Sequence, residues 1–168
     1  MGRPKALLRL PDGRSLLRAW LDLVPGGVVA AGAVVEPLRA ELEPGEALVV
    51  NPEWQRTGPL ESLICALSLQ SAPRVVVTPV DAVPCSAQTL AALLEGASPA
   101  VVGHQGRPGH PVLLGPEELH ALRTGPAPAD GLRALLGGAR VVEGGPDSLL
   151  NLNTPAQWSA WLRGAEPG

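Results

Sequence analysis

Apolar positions along this chain fall into short runs that switch between helical and extended spacing. Leu16, Leu17, Trp20 and Leu21 share one face of a helix predicted over residues 13–23. Val28–Ala31 and Ala47–Val50 are apolar runs of strand length, with a short helix between them that ends at Leu42. A polar loop leads from Asn51 to Gly58, and Pro59 stands as the first residue of a helix through Gln70. Arg74–Thr78 centres on three valines, and the helices predicted before it and at 86–95 make it a central strand of a parallel sheet. Beyond it, 100–102 and 112–114 read as strands around a turn-rich loop from Gly106 to Pro111. A helix at 116–123, an exposed connector at 125–129, a short helix at 130–136 and a strand at 140–143 follow. Residues 148–152 read as a last strand, and a helix from Pro155 to Arg163 precedes a flexible tail at 164–168.

This alternation predicts one α/β domain over residues 1–163, with a mostly parallel sheet covered on both faces. Ligands of such sheets bind outside the carboxyl ends of the strands. That rule selects three loops: 51–58, 78–85 and 103–111. No strand is predicted ahead of the first helix, although a doubly wound sheet normally opens on one.

Composition narrows the partners. With 45% hydrophobic and 17% charged residues in 168, the chain can bury a core. A net charge of −3 argues against a nucleic-acid partner. The apolar runs fall well short of the ~20 residues that cross a bilayer, and the first twenty residues lack the apolar centre of a signal peptide. The expectation is a cytoplasmic protein without a membrane partner. Cys65 and Cys85 form no CxxC pair, and His104, His110 and His120 stand at no zinc spacing, so two reduced thiols and no structural metal are expected. The basic residues are twelve arginines and one lysine, Lys5. A compact ammonium suits a single phosphate, and a solvated surface lysine is the alternative.

Three more positions carry two readings each. Asp81 follows the valine strand directly, where a carboxylate can hold Mg²⁺ beside a substrate phosphate or simply begin a Pro-containing turn. In Asn153-Thr154-Pro155 the threonine is a helix N-cap and Pro155 the first helical residue, while Asn151 or Asn153 could offer an amide oxygen to a metal. His110 is either part of a tight connection or a substrate contact.

Taken in order, these pieces resemble one family. Met1-Gly2-Arg3-Pro4-Lys5-Ala6-Leu7-Leu8, Asn51-Pro52-Glu53-Trp54, Gly58-Pro59-Leu60-Glu61-Ser62-Leu63 and Pro79-Val80-Asp81 are similar to segments of the molybdenum cofactor cytidylyltransferases and guanylyltransferases. So are Gly106-Arg107-Pro108-Gly109-His110-Pro111-Val112-Leu113, Asp130-Gly131-Leu132-Arg133-Ala134-Leu135-Leu136 and Asn153-Thr154-Pro155. The resemblance covers essentially the whole chain. It implies a three-layer, Rossmann-like nucleotidyltransferase fold that moves an NMP from CTP or GTP to a molybdopterin-type acceptor and releases pyrophosphate. It further implies Lys5 and Asp81 as catalytic residues. Gly2, Lys5, Asn51, Gly58, Pro59, Leu60 and Ser62 would lie at the nucleotide, and Gly109, His110 and Pro111 at the acceptor. Asp81 and Asn153 would hold Mg²⁺, and a molybdoenzyme is the implied recipient of the product. The chain departs from the family where relatives have a first strand and a Leu-Ala-Ala-Gly turn, both missing here. Two readings therefore stay open beside the enzyme: a non-catalytic relative that lost the phosphate loop, and a transferase acting on a phosphosugar or phosphoalcohol.

Overall fold

The longer helices of this chain begin where a side chain satisfies a free backbone N–H group. The computed structural model describes residues 4–165. Ser15 caps α1 (Leu16–Leu23) by accepting from the Arg18 N–H, and Ser86 caps α4 (Ala87–Glu95) by accepting from the Thr89 N–H. Two helices start on Gly-Pro: α3 (Pro59–Leu67) and α5 (Pro116–Thr124). In each, a glutamate three residues on reaches back to the glycine N–H, Glu61 to Gly58 and Glu118 to Gly115, both at 2.8 Å. Thr154 opens α6 (Pro155–Ala165) as the sequence predicts, and α2 (Glu36–Arg39) is a single turn. The helix predicted from residue 13 begins at Leu16 instead, because buried Ser15 is its cap. The last helix continues to Ala165; the rest of the expected tail, 166–168, lies outside the described residues.

Among the described residues six strands lie between these helices, two of them in direct succession: β1 (Val28–Ala31), β2 (Ala47–Val50), β3 (Val75–Val77), β4 (Ala100–His104), β5 (Arg107–Leu114) and β6 (Arg140–Glu143). β1 and β2 pair in parallel. The others form a four-stranded sheet in the order β3-β5-β4-β6, in which β3, β4 and β6 share a direction and β5 runs against them. The fold is thus α/β with parallel strands in the majority. Alternate side chains go to opposite faces. Val101, Val112 and Leu114 pack with Leu60, Leu67, Leu119 and Leu122 of α3 and α5. Ala100, Val102, Leu113 and Val142 pack with Leu90 and Leu93 of α4 on the other face. Those are the three layers. A third cluster joins α1 and α2 to the β1–β2 pair, and a fourth gathers Leu16, Val83 and Leu152 under Trp158 and Trp161 of α6.

Three expectations need correction. β3 is not central: among the described residues it pairs only with β5, antiparallel. Its valines read as central because both faces are covered, Val76 toward α4 and Val75 and Val77 toward α3 and α5. Burial of faces and pairing of edges are separate matters. Second, Gly109-His110-Pro111 is not in a loop but within β5, since the β4–β5 hairpin turns on Gln105 and Gly106, with φ of 50° and 76°. Two successive positive φ values match the twist of flanking strands and permit a two-residue turn. Third, residues 148–152 are no strand: Pro146–Leu149 is a 3-10 turn, and only Asn151 bridges, to Ala82.

Candidate functional site

The segment carrying Lys5 is fixed by its apolar neighbours. Ala6 is buried and Leu7 packs in the α1–α2 cluster, while Leu8 and Leu10 join the cluster under α6. The Lys5–Leu7 turn is 3-10, and the Leu16 N–H donates to the Leu8 carbonyl at 3.0 Å, tying the turn to the start of α1. The Lys5 side chain is left free to extend.

Asp81 is held from two sides. The Leu152 N–H donates to the Asp81 carbonyl at 2.9 Å, and the buried Trp20 indole N–H donates to the Ala82 carbonyl at 3.0 Å. Asn153 is set by the cap of α6. Gln157 Oε1 accepts from the N–H groups of Asn153 and Thr154, both at 2.9 Å, and Thr154 Oγ1 accepts from the Gln157 N–H at 3.2 Å. This is a reciprocal capping box, which leaves the Asn153 carboxamide oxygen for another partner.

These anchors bring three predicted residues from distant parts of the chain together. Lys5 Nζ donates to Asp81 Oδ2 at 2.9 Å and to Asn153 Oδ1 at 2.5 Å. The Lys5 and Asp81 side chains keep 33% and 20% of their exposure, so the cluster is open to a ligand from solvent. Two hard oxygens converging on one cation, a carboxylate and an amide, are a donor set that suits Mg²⁺ or Mn²⁺, each of which takes one or two protein oxygens and completes its shell with phosphates and water. The residues fit a divalent cation.

His110 stands near this cluster in β5. Burial pushes its imidazole below the usual histidine pKa, and the Asp81 charge opposes that shift. Its Nδ1 is buried with no hydrogen-bond partner among the described residues. Pro111 is fully buried, and Gly109 lies directly against the Ser148 carbonyl, where any Cβ would collide. Of this trio only His110 has a side chain that could meet a ligand.

The 51–62 segment forms a second group, with no hydrogen bond or ion pair to the first among the described residues. Buried Asn51 is the pin of its loop. Its Oδ1 accepts from the Glu53 N–H at 3.0 Å, and its Nδ2 donates to Thr57 Oγ1 at 2.9 Å and to Ser62 Oγ at 3.1 Å. With its amide spent internally, Asn51 shapes the loop rather than offering a free contact. Leu60 faces the core between α3 and the sheet, so only its backbone could serve a ligand. Gly58 and Pro59 are exposed, and Gly2 lies outside the described residues.

Sequence reasoning passed over Trp20, Leu152 and Gln157 as supports of the site. The signal for Gln157 was present as Thr154-Pro155-Ala156-Gln157, a T-x-x-Q capping pattern. The signal for Trp20 was the need of any buried indole N–H for an acceptor. Nothing local announced Leu152.

Comparison with known proteins places this architecture. The chain matches the MobA-like NTP transferase domain over residues 1–143, and it belongs to that family of nucleotidyltransferases. Among solved structures it is similar to Rv0371c from Mycobacterium tuberculosis, at 22% identity and a TM-score of 0.78 over 97% of this chain and 90% of that one. The same mycobacterial protein has also been solved as a manganese complex. It is similar to 2-C-methyl-D-erythritol 4-phosphate cytidylyltransferase from Thermus thermophilus, at 19% identity and a TM-score of 0.66, covering 95% and 94% of the two chains. Molybdopterin-guanine dinucleotide biosynthesis protein A from Archaeoglobus fulgidus matches at 17% identity and 0.58, over 96% and 90%. No curated protein gave a significant match. Among the described residues, no helix is long and apolar enough to cross a membrane.

Proposed function

We propose that this chain transfers a nucleoside monophosphate, CMP in preference to GMP, from an NTP to a phosphorylated acceptor of the molybdopterin type. The observation that carries the reading is the convergence of Lys5, Asp81 and Asn153. Membership of the MobA-like family supports nucleotidyl transfer as the reaction class.

In this reading an acceptor phosphate oxygen forms a bond to the α-phosphorus as the bond from that phosphorus to the β-phosphate bridging oxygen breaks. Pyrophosphate leaves with the electron pair. Lys5 binds the phosphates as a point charge and stabilises the negative charge that builds on them. Asp81 and Asn153 would hold Mg²⁺, which when bound supplies charge neutralisation to the phosphate oxygens. The exposed Gly58-Pro59 start of α3 offers backbone surface to the nucleobase, while Asn51 and Ser62 keep that loop in shape. His110 faces the acceptor, its unpartnered Nδ1 ready for one hydrogen bond. Most of the catalytic effect in such transfers comes from positioning and electrostatics.

The preference for cytosine rests on the Gly109-His110-Pro111 and Asp130-Gly131 segments, which resemble the cytidylyltransferase branch. Titration of the four NTPs into the protein, followed by pyrophosphate release with a molybdopterin acceptor and with a phosphoalcohol, tests both halves. CTP turnover with molybdopterin is expected. Tighter GTP binding reverses the base, turnover with the phosphoalcohol alone changes the acceptor, and failure to bind any NTP overturns the reading.

A further inference from the structure

Resting on that nucleotide-transfer reading, we infer that Lys5 is the resident cation of its own metal site: its ammonium occupies Asp81 and Asn153 until a nucleotide draws it away, so that nucleotide and divalent cation bind as a coupled pair.

The geometry places the ammonium where the two oxygens converge, at 2.9 Å from Asp81 Oδ2 and 2.5 Å from Asn153 Oδ1. Nothing else donates to those two oxygens among the described hydrogen bonds. The charges cancel: Lys5 carries +1, Asp81 −1, and the Asn153 amide none. A site with no net negative charge and its oxygens engaged offers little to a free divalent cation. A triphosphate brings several negative charges to the same place. It competes for the ammonium and releases both oxygens as it does so.

Two further features make the exchange feasible. The pair is partly exposed, with side-chain exposures of 33% and 20%, and ion pairs in that setting are weak. Lysine also carries a compact charge on a flexible four-carbon stem, able to move between partners without re-aligning a planar fork. This is the single lysine of a chain that uses arginine at its twelve other basic positions. Linkage then requires reciprocity: whatever factor the nucleotide adds to metal affinity, the metal adds to nucleotide affinity.

The test needs no turnover. Mn²⁺ is titrated into the nucleotide-free protein and followed by the electron paramagnetic resonance of the free ion, for the unaltered chain, Lys5→Met, and Lys5→Met combined with Asp81→Asn. The expected result is weak binding to the unaltered chain and binding about three- to tenfold tighter to Lys5→Met, from relief of like-charge repulsion and of competition. The tighter binding should vanish in the double variant. Equal affinity in Lys5→Met and the unaltered chain overturns the inference. A second measurement keeps the native sequence. Incorporation of lysine carrying ¹³C at Cε labels Lys5 alone and leaves its three N–H donors in place, and Lys5→Met confirms the signal. The Lys5 signal should stay in place with millimolar Mg²⁺ alone and shift on addition of a non-hydrolysable CTP analogue. A shift with Mg²⁺ alone, or none with the analogue, removes the coupling. Absence of turnover with every acceptor would sink the transfer reading and leave the Mn²⁺ comparison standing by itself, so the two failures are distinguishable.

Discussion

Two ion-pair clusters in this molecule use the same elements, a long cation and oxygen acceptors, to opposite ends. Arg18 in α1 is clamped. It donates to both oxygens of Glu46, at 2.9 and 2.6 Å, to Asp22 Oδ1 at 2.7 Å and to the Glu41 carbonyl at 3.1 Å. Glu46 also accepts from the Glu43 N–H, and the Arg18 and Glu46 side chains retain only 14% and 5% exposure. Lys5 makes two contacts, at a surface that solvent reaches. A planar fork saturated by a carboxylate on the far side of the β1–β2 connection fixes the chain's path. A point charge shared between a carboxylate and an amide leaves room for exchange. Chemically similar pairs thus divide into one shut away from solvent and one that solvent still reaches.

Breaking the Lys5 cluster should give the largest change. Asp81→Asn is expected to lower NTP turnover by roughly a hundred- to a thousandfold or more, the scale of losing one main electrostatic contact in a site. Its melting temperature should barely move, since an ion pair this exposed contributes about 0.2–1 kcal/mol. Pyrophosphate release alongside a thermal melt checks both halves. A large loss of stability instead would make Asp81 a structural residue.

Breaking the Arg18 cluster should invert that pattern. Glu46→Gln removes one partner of a nearly buried charge pair and is expected to cost about 2–3 kcal/mol of stability. Nucleotide affinity of the folded protein should stay unchanged. Denaturant unfolding and NTP titration measure the two effects separately.

Acid sharpens the comparison further. The Arg18 guanidinium holds the Glu46 carboxyl below its ordinary 4.5, and Arg14 and Arg18 hold Asp22 below its ordinary 3.8. Folded values below unfolded ones mean stabilisation that is complete above the ordinary values and is lost as pH falls through the folded ones. Stability should therefore decline as pH drops below about 4.5, and Glu46→Gln should flatten that decline. His110 acts in the same direction at higher pH: burial lowers its folded value beneath the ordinary 6.5, so protonation below that pH opposes folding. His110→Asn should remove the shallow loss of stability just under pH 6.5 in a series of melts.

The smallest effect is expected at the cap that supports Asn153. Thr154→Ala removes an N-cap acceptor and should cost roughly 0.5–1 kcal/mol by denaturant unfolding. A cost near zero would mean that Gln157 alone holds the start of α6.

Much of this was legible in the chain. Three valines in a row, Gly-Pro helix starts followed by glutamate, and alternating apolar runs fixed the element types, because propensity and capping act within a few residues. Lys5, Asp81 and Asn153 could also be picked out, by residue type and family order. What local pattern could not supply was lateral pairing. β3 looked central and pairs on one side with an antiparallel β5, since a buried face looks the same in sequence whichever strand lies alongside. Gly109-His110-Pro111 looked like a loop and forms a strand, because a turn of only Gln105 and Gly106 closes the hairpin earlier. Nor could local pattern show that the Asn51 side-chain amide bonds to Glu53, Thr57 and Ser62 of its own segment. The distance from Lys5 to Asp81 to Asn153 was beyond any local rule: 76 and 148 residues separate Lys5 from its partners. Their meeting depends on Leu152 pairing with the Asp81 backbone and on Trp20 reaching the Ala82 carbonyl. Sequence chose the side chains; only the packing that gathers Leu16, Val83 and Leu152 under α6 decided that they meet.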